Sequence, residues 1–224
     1  MKSWSAPAIP ALPGTGPVPR VFDSASRTLK AAEASVAQGQ HVAALYVCGI
    51  TPYDATHLGH AATYLAFDTL IRLWLDAGYH VHYAQNVTDV DDPLLERAAQ
   101  TGVDWRELAT SQIELFRSDM RQLSIVPPEH YLGVTEVIPQ LADAVRRLAG
   151  DGIAYPVGGA DAAPDLYFDN AAATASSPWH LGQESNLDRD TRLKLSAERG
   201  GDPARPGKHD ALDPLLWRAE RMGE

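Results

Sequence analysis

Two histidines three residues apart, His57 and His60, flank Gly59 in the stretch YVCGITPYDATHLGHAATYLAFD, which runs from Tyr46 to Asp68. Before them lies a short apolar, β-prone run, HVAALYVCG (41–49), and after them a stretch of helical period, AATYLAFDTLIRLWLDAG (61–78). Histidines at such a strand-to-helix turn stand where a helix N-terminus offers unpaired backbone N–H groups to an anion. Their imidazoles can donate hydrogen bonds to phosphate oxygens, and Gly59 lets a ligand come close to the backbone. The chemistry in outline is that of a nucleotide triphosphate site. Two histidines at this spacing also occur by chance at helix starts, so the pattern alone leaves a purely structural role open.

The single cysteine, Cys48, sits at the end of the same strand-like run. With no second cysteine it forms no internal disulfide, which fits a reducing compartment, and its role is packing, nucleophile or metal ligand. Asp89, Asp91 and Asp92 follow the next apolar run. Carboxylates so spaced suit either a magnesium ion or the N-cap of a helix.

These residues need a scaffold. A second strand-like run, YHVHYAQNV (79–87), follows the first helix, so strand, helix and strand form a βαβ unit whose crossover should be right-handed. Helical stretches over 92–100, 105–123 and 134–148 come next, with Pro127 and Pro128 punctuating the chain between the last two. Beyond Gly152 the pieces IAYPV and DLYFD suggest a small inserted subdomain. One crossover supplies two parallel strands, too few to bury both sheet faces, so further strands are expected from beyond residue 224 or from another chain. The first 20 residues are proline-rich and read as an extended arm lying on a surface.

With 45% apolar residues in 224, the chain can bury a core, and its apolar runs are too short to span a membrane. A net charge of −10, from 19 basic and 29 acidic residues, weighs against a large polyanionic partner such as RNA.

HLGH, with YVCG nine residues upstream and QNVTDVDD after the second strand, closely resembles the cysteinyl-tRNA synthetase superfamily of class I aminoacyl-tRNA synthetases, over about 21–221. The resemblance implies an α/β fold: the first half of a Rossmann-like class I synthetase catalytic domain, with parallel strands and crossover helices, carrying a small inserted α+β subdomain. The expected boundaries are 1–20 for the arm, 21–126 for the catalytic half, 127–197 for the insertion and 198–224 for a loop returning to the catalytic domain. It further implies that His57 and His60 bind ATP and stabilise the α-phosphate while the ionised carboxylate of L-cysteine attacks it. Cys48, Gly49, Ile50, Thr51, His57, Gly59, His60, Thr63, Asn86, Val87 and Thr88 would surround the resulting cysteinyl-adenylate. For Asn86 and Thr88 the alternative is a strand-end turn in which they bond their own backbone. Cys48 would ligate zinc, with the other ligands expected beyond residue 224, and ATP would enter with magnesium as a substrate. The second, lysine-rich signature of the family is absent from these 224 residues.

Where cysteinyl-tRNA synthetases read PTVYD, HIGNAR and DDK, this chain reads ITPYD, HLGHAA and DDP. Those departures, and the opening MKSWSAP, are similar to the cysteine:glucosaminyl-inositol ligase family of mycothiol biosynthesis. That resemblance implies transfer of the cysteinyl group to the amine of glucosaminyl-inositol, with release of AMP and diphosphate. It implies no tRNA, no membrane, a cytoplasmic location and a monomer when full length. A tRNA-charging enzyme, or a truncated half that binds nucleotide without turnover, remains open at this stage.

Overall fold

The computed structural model describes residues 1–37, 39–158 and 163–220. It divides into two compact units, one of residues 1–21 and 29–138, the other of residues 22–28 and 139–224. Two short strands come first, β1 (Arg20–Asp23) and β2 (Thr28–Ala31). The first unit is then built on β3 (Ser35–Ala37), β4 (Gln40–Val47), helix α1 (Leu58–Asp76), β5 (His80–Val87), α2 (Asp92–Thr101), α3 (Trp105–Gln122) and β6 (His130–Gly133); helix α4 (Val134–Gly150) follows, with residues 134–138 in the first unit and 139–150 in the second.

The sheet has the order β3-β4-β5-β6. β4 pairs parallel with β5, with Tyr46 beside Ala84 and Val47 beside Gln85, and β5 pairs parallel with β6. The expected two parallel strands are therefore three. β6 escapes notice in the sequence because it is only four residues long and follows Pro127 and Pro128, yet the α2–α3 pair that precedes it makes a second crossover. β3 adds an antiparallel edge at the start of β4.

One face of this sheet is dry. Val47, Tyr83, Val87 and Tyr131 join Tyr64 and Ile71 of α1 and Ile113, Phe116 and Met120 of α3 in a single apolar cluster. The helix residues recur at spacings of three, four and seven positions, which puts them on one stripe of each helix. Asp68 is buried among them and is fully engaged: Oδ1 accepts the Val126 N–H at 2.8 Å and Oδ2 accepts Arg72 Nε at 2.7 Å. Trp4 is part of this cluster as well. The arm sends its indole between Phe116 and Tyr131, with Nε1 donating to the Ile125 carbonyl at 2.7 Å, so its start is core rather than surface covering. On the opposite sheet face Ala44, Tyr46, His82, His130 and Leu132 are exposed. Parallel sheets are ordinarily covered on both faces, and among the described residues this one is covered on one.

The second unit is antiparallel. It contains β7 (Ala154–Val157), β8 (Asp165–Phe168), α5 (Asn170–Ser176), α6 (Arg189–Glu198) and β9 (Leu215–Trp217), with sheet order β7-β8-β9. Its order rests on buried polar groups. Asp213, 1% exposed, accepts from the Tyr155 hydroxyl, both nitrogens of Asn170 and the Asp210 N–H. Asp165, equally buried, pairs with Arg205 and accepts the Ala219 N–H. The stretch read as a returning loop thus contains β9, which pairs with β8; residues 221–224 of that stretch lie outside the described residues.

Candidate functional site

The loop joining β4 to α1 is held at its start by close backbone approach. A β-carbon on Gly49 would fall 1.5 Å from the Asn86 carbonyl oxygen, so only glycine allows the tip of β4 to lie against the tip of β5. Asn86 then clasps the two tips. Its Oδ1 accepts both the Gly49 N–H and the Tyr46 hydroxyl, each at 2.9 Å, while the Thr88 N–H donates to the Ile50 carbonyl at 2.9 Å. Asn86 Oδ1 therefore bonds across strands rather than to its own backbone, and its Nδ2 donates to Thr88 Oγ1 at 3.4 Å within the strand-end turn.

Cys48 lies exposed on this braced loop and is not the buried apolar residue that its type alone allows. Its carbonyl accepts the Tyr64 hydroxyl at 3.2 Å, a tie from α1 back to the loop. Burial, followed by the nearby Cys48 thiol, pushes the phenols of Tyr64 and Tyr46 above their usual range, which keeps both as neutral donors. Ile50 and Val87 are buried in the apolar cluster and form the floor beneath the loop. The Thr51 carbonyl accepts the Tyr53 N–H at 2.9 Å, closing a turn.

At the other end of the loop, His57 is the N-cap of α1, in extended conformation, and His60 occupies the third helical position. His57 Nδ1 accepts the Gly59 N–H at 3.0 Å, and His60 Nδ1 accepts the His57 N–H at 3.2 Å. The pair forms a capping box, with imidazoles where serine and glutamate more often stand. An Nδ1 that accepts carries no proton, so this bonding assigns both rings to the Nε2–H tautomer. Each imidazole thereby keeps its Nε2–H as a donor. The rings lie 4.1 Å apart, and Gly59 leaves room for that of His57: a β-carbon there would meet it at 2.8 Å. Burial, followed by the neighbouring His57, pushes the His60 pKa below its ordinary value, which favours the neutral ring. Thr63 is exposed one turn along, with Oγ1 donating to the Gly59 carbonyl.

The sequence reading did not single out Thr56, Tyr64 or Asp119. Thr56 Oγ1 donates to Asp119 Oδ2 at 2.6 Å, and both residues line an open cleft of about 470 Å³ with His57, Leu58, Ala61 and Met120. Tyr64 could have been found, since it stands one helical turn beyond His60. Asp119 gives no local signal, being 63 residues from its partner.

Of the three acids after β5, Asp91 is the N-cap of α2 and Asp89 accepts from Thr135 N and Oγ1, so these two do structural work. Among the described residues no three His, Cys, Asp or Glu side chains are grouped to hold a metal ion. Cys48 therefore belongs to no such group among the described residues.

The family model for the tRNA synthetases class I (C) catalytic domain matches residues 34–224. The chain is 61% identical, over 228 aligned residues, to the L-cysteine:1D-myo-inositol 2-amino-2-deoxy-alpha-D-glucopyranoside ligase of Clavibacter michiganensis, an alignment covering all of this chain and 53% of that protein. It is 58% identical to the ligase of the same name from Mycolicibacterium smegmatis, again over all of this chain and 52% of the relative. The chain spans about half the length of these curated relatives. Among solved structures it is similar in fold to one described as the ternary complex of Agrobacterium radiobacter K84 agnB2 LeuRS-tRNA-LeuAMS, with a TM-score of 0.50 and 16% identity over 71% of this chain and 22% of that one.

Proposed function

The chain belongs to the tRNA synthetase class I (C) catalytic-domain family, and from that premise we propose that it carries the nucleotide-binding half of an ATP-dependent ligase that activates L-cysteine and transfers it to the amine of glucosaminyl-inositol. The observation that carries this reading is the capped start of α1, where two imidazoles fixed as Nε2–H donors stand at a helix N-terminus, on a loop braced beside the exposed Cys48. Backbone N–H groups and the two Nε2–H groups suit a polyphosphate. They suit still better an α-phosphate that gains negative charge as a fifth oxygen approaches.

In the first step a carboxylate oxygen of cysteine bonds to the α-phosphorus of magnesium-bound ATP while the bond to the bridging oxygen breaks and diphosphate leaves. The carboxylate is ionised at neutral pH, so His57 and His60 need accept no proton; they stabilise charge and hold geometry. In the second step the sugar amine attacks the carbonyl carbon of the cysteinyl-adenylate, AMP leaves and an amide forms, with one proton released from the amine. The loop of Cys48, Gly49, Ile50 and Thr51, with Asn86, Val87 and Thr88 at the facing strand end, is the proposed adenylate cradle. The described residues do not make a whole zinc site, and no step is assigned to zinc.

The acceptor reading is supported by the names of the relatives and by the net charge of −10, which disfavours tRNA. No helix among the described residues is long and apolar enough to cross a membrane. The test is AMP release from ATP, magnesium and cysteine, with glucosaminyl-inositol or tRNA as acceptor. Cysteine-dependent release that rises with the sugar supports the proposal. A rise with tRNA alone overturns the acceptor, and exchange of diphosphate into ATP without cysteine overturns the amino acid.

A further inference from the structure

We propose that Asp119, on α3, is a positioning residue for the two histidines, acting through Thr56 as a strut on the chain just before the helix cap. This inference rests on the nucleotide-site reading above and deepens it. Thr56 directly precedes His57, whose backbone is the N-cap of α1, so the place of the Thr56 side chain sets the direction in which the chain enters the helix. The Thr56 hydroxyl donates to Asp119 Oδ2 at 2.6 Å, a short bond to an acidic acceptor across 63 residues of chain.

Three observations separate this from ordinary packing. Asp119 lies in the last turn of α3, where a carboxylate opposes the helix dipole, so it does not serve α3 itself. The first turn of α1 has no acidic residue of its own, and Asp119 supplies a carboxylate beside that N-terminus from another helix. Both residues also line the cleft that includes His57 and Leu58, so the strut stands in the wall of the site. Among the described residues Asp119 makes no hydrogen bond to either imidazole; its effect passes through the Thr56–His57 backbone to the Gly59 N–H···Nδ1 contact that fixes the His57 tautomer.

The test compares Asp119→Ala, Thr56→Val and Asp119→Asn with the parent chain. The readouts are imidazole nitrogen signals from histidine labelled with nitrogen-15, magnesium-ATP affinity, and the thermal midpoint. The parent should show His57 and His60 as Nε2–H tautomers. Asp119→Ala and Thr56→Val should move His57 toward tautomer averaging and weaken magnesium-ATP about tenfold, the scale of one lost hydrogen bond to a charged group. Asp119→Asn keeps an acceptor oxygen and should stay within about threefold of the parent, as a retained neutral hydrogen bond predicts. Unchanged His57 signals in both Asp119→Ala and Thr56→Val would overturn the strut, as would a lowered midpoint with the signals intact, the mark of a merely structural role. Thr56→Val removes one hydroxyl at nearly constant volume, so it decides the matter if Asp119→Ala fails to fold. Failure of the parent to bind magnesium-ATP would sink the nucleotide reading while leaving the nitrogen signals to judge the strut.

Discussion

The two units keep their interiors in order by different means. Around β4, β5 and β6, twelve buried residues among those described form one apolar cluster, and the unit's two buried carboxylates, Asp68 and Asp89, are each tied on both oxygens. Around β7, β8 and β9 the apolar cluster has three members, and the space between the loops is filled by Asp165, Asp213 and Lys208 with their partners. Apolar packing is indifferent to direction and tolerates neighbours that shift together. A buried carboxylate bonded by four donors fixes each of them in angle and distance. The difference suits the architecture: the first unit carries the loop of the proposed site above a firm apolar floor, whereas the second holds long loops for which there is little apolar residue to bury.

The sharpest way to break this comparison is to remove the keystone of each unit. Asp213→Ala strands the Tyr155 hydroxyl and both nitrogens of Asn170, and by the cost of orphaning buried polar partners it should destabilise by about 3–5 kcal/mol. Phe116→Ala empties a fully buried aromatic site between Trp4 and Tyr64 and should cost a similar ~3–5 kcal/mol by cavity formation. Hydrogen exchange locates the damage. Asp213→Ala should lose protection first in β7 to β9, and Phe116→Ala first in α1, α3 and β5. Loss spread equally over both units by either change would mean that they share one core.

Acid should separate the units with a smaller effect. Asp169 is held below its ordinary pKa by the Ala172 N–H at the start of α5 and then by His209, and Asp210 by the Leu212 N–H and Arg189, against some burial. A depressed carboxylate contributes stability that is fully present above its unfolded pKa and disappears as pH falls through the lower folded value. Exchange protection in β7 to β9 should therefore fall as pH drops below about 4, the unfolded carboxylate range, before protection in β4 to β6 does. The reverse order would show that the bonds to these carboxylates are not what sustains the second unit.

What could be read from the sequence follows the same division. Local signals were sufficient where one residue type answers one local need: HLGH at a helix start, Gly49 at a strand tip, the apolar stripes of α1, α2 and α3. The strand runs ending at Val47 and Val87 and the parallel pairing between them were legible for that reason. β6 was not, because four residues after two prolines carry too little period to read. Trp4 was hidden by the prolines around it, whose turn-forming character says nothing of where an indole goes. In the site, the clasp by Asn86 was partly visible as a polar residue at a strand end, although its partners lie 37 to 40 residues away. The Asp119 strut was invisible, since nothing near Asp119 records that Thr56 will face it. The second unit was read only as short strands between glycines and acids, because a lattice of side-chain hydrogen bonds leaves no periodic trace.

A substitution at the site tests whether its geometry depends on the apolar floor or on close backbone approach. Gly49→Ala puts a methyl group 1.5 Å from the Asn86 carbonyl oxygen, a contact that backbone must relieve by moving. The floor residues Ile50 and Val87 are untouched, so the thermal midpoint should fall by only a few degrees, about 1–2 kcal/mol for a domain of this size. Cysteine activation should fall further, by about a hundredfold, because a displacement near 1 Å is enough for that loss. A loss of activity no larger than the loss of folded population would show that the strand tips do not set the geometry.

The smallest effect expected is also the one most particular to the site. Both cap bonds require an unprotonated Nδ1, so an imidazolium at either position would turn an acceptor into a donor facing another N–H. Burial and the neighbouring His57 lower the pKa of His60, so the folded protein prefers the neutral ring more than the unfolded chain does. The cap's contribution is accordingly complete above the unfolded histidine value of about 6.5 and is lost as pH falls through the lower folded value. Magnesium-ATP affinity should therefore hold steady from pH 8 past the ordinary histidine value of about 6.5 and decline only as the lower folded value of His60 is reached, even though added positive charge by itself would strengthen the binding of an anion. His60→Asn, which keeps a short acceptor and cannot titrate, should flatten that decline at the cost of one donor. An affinity that rises on acidification in the parent chain would mean that charge outweighs the cap, and that the two histidines act as cations and not as tautomer-fixed donors.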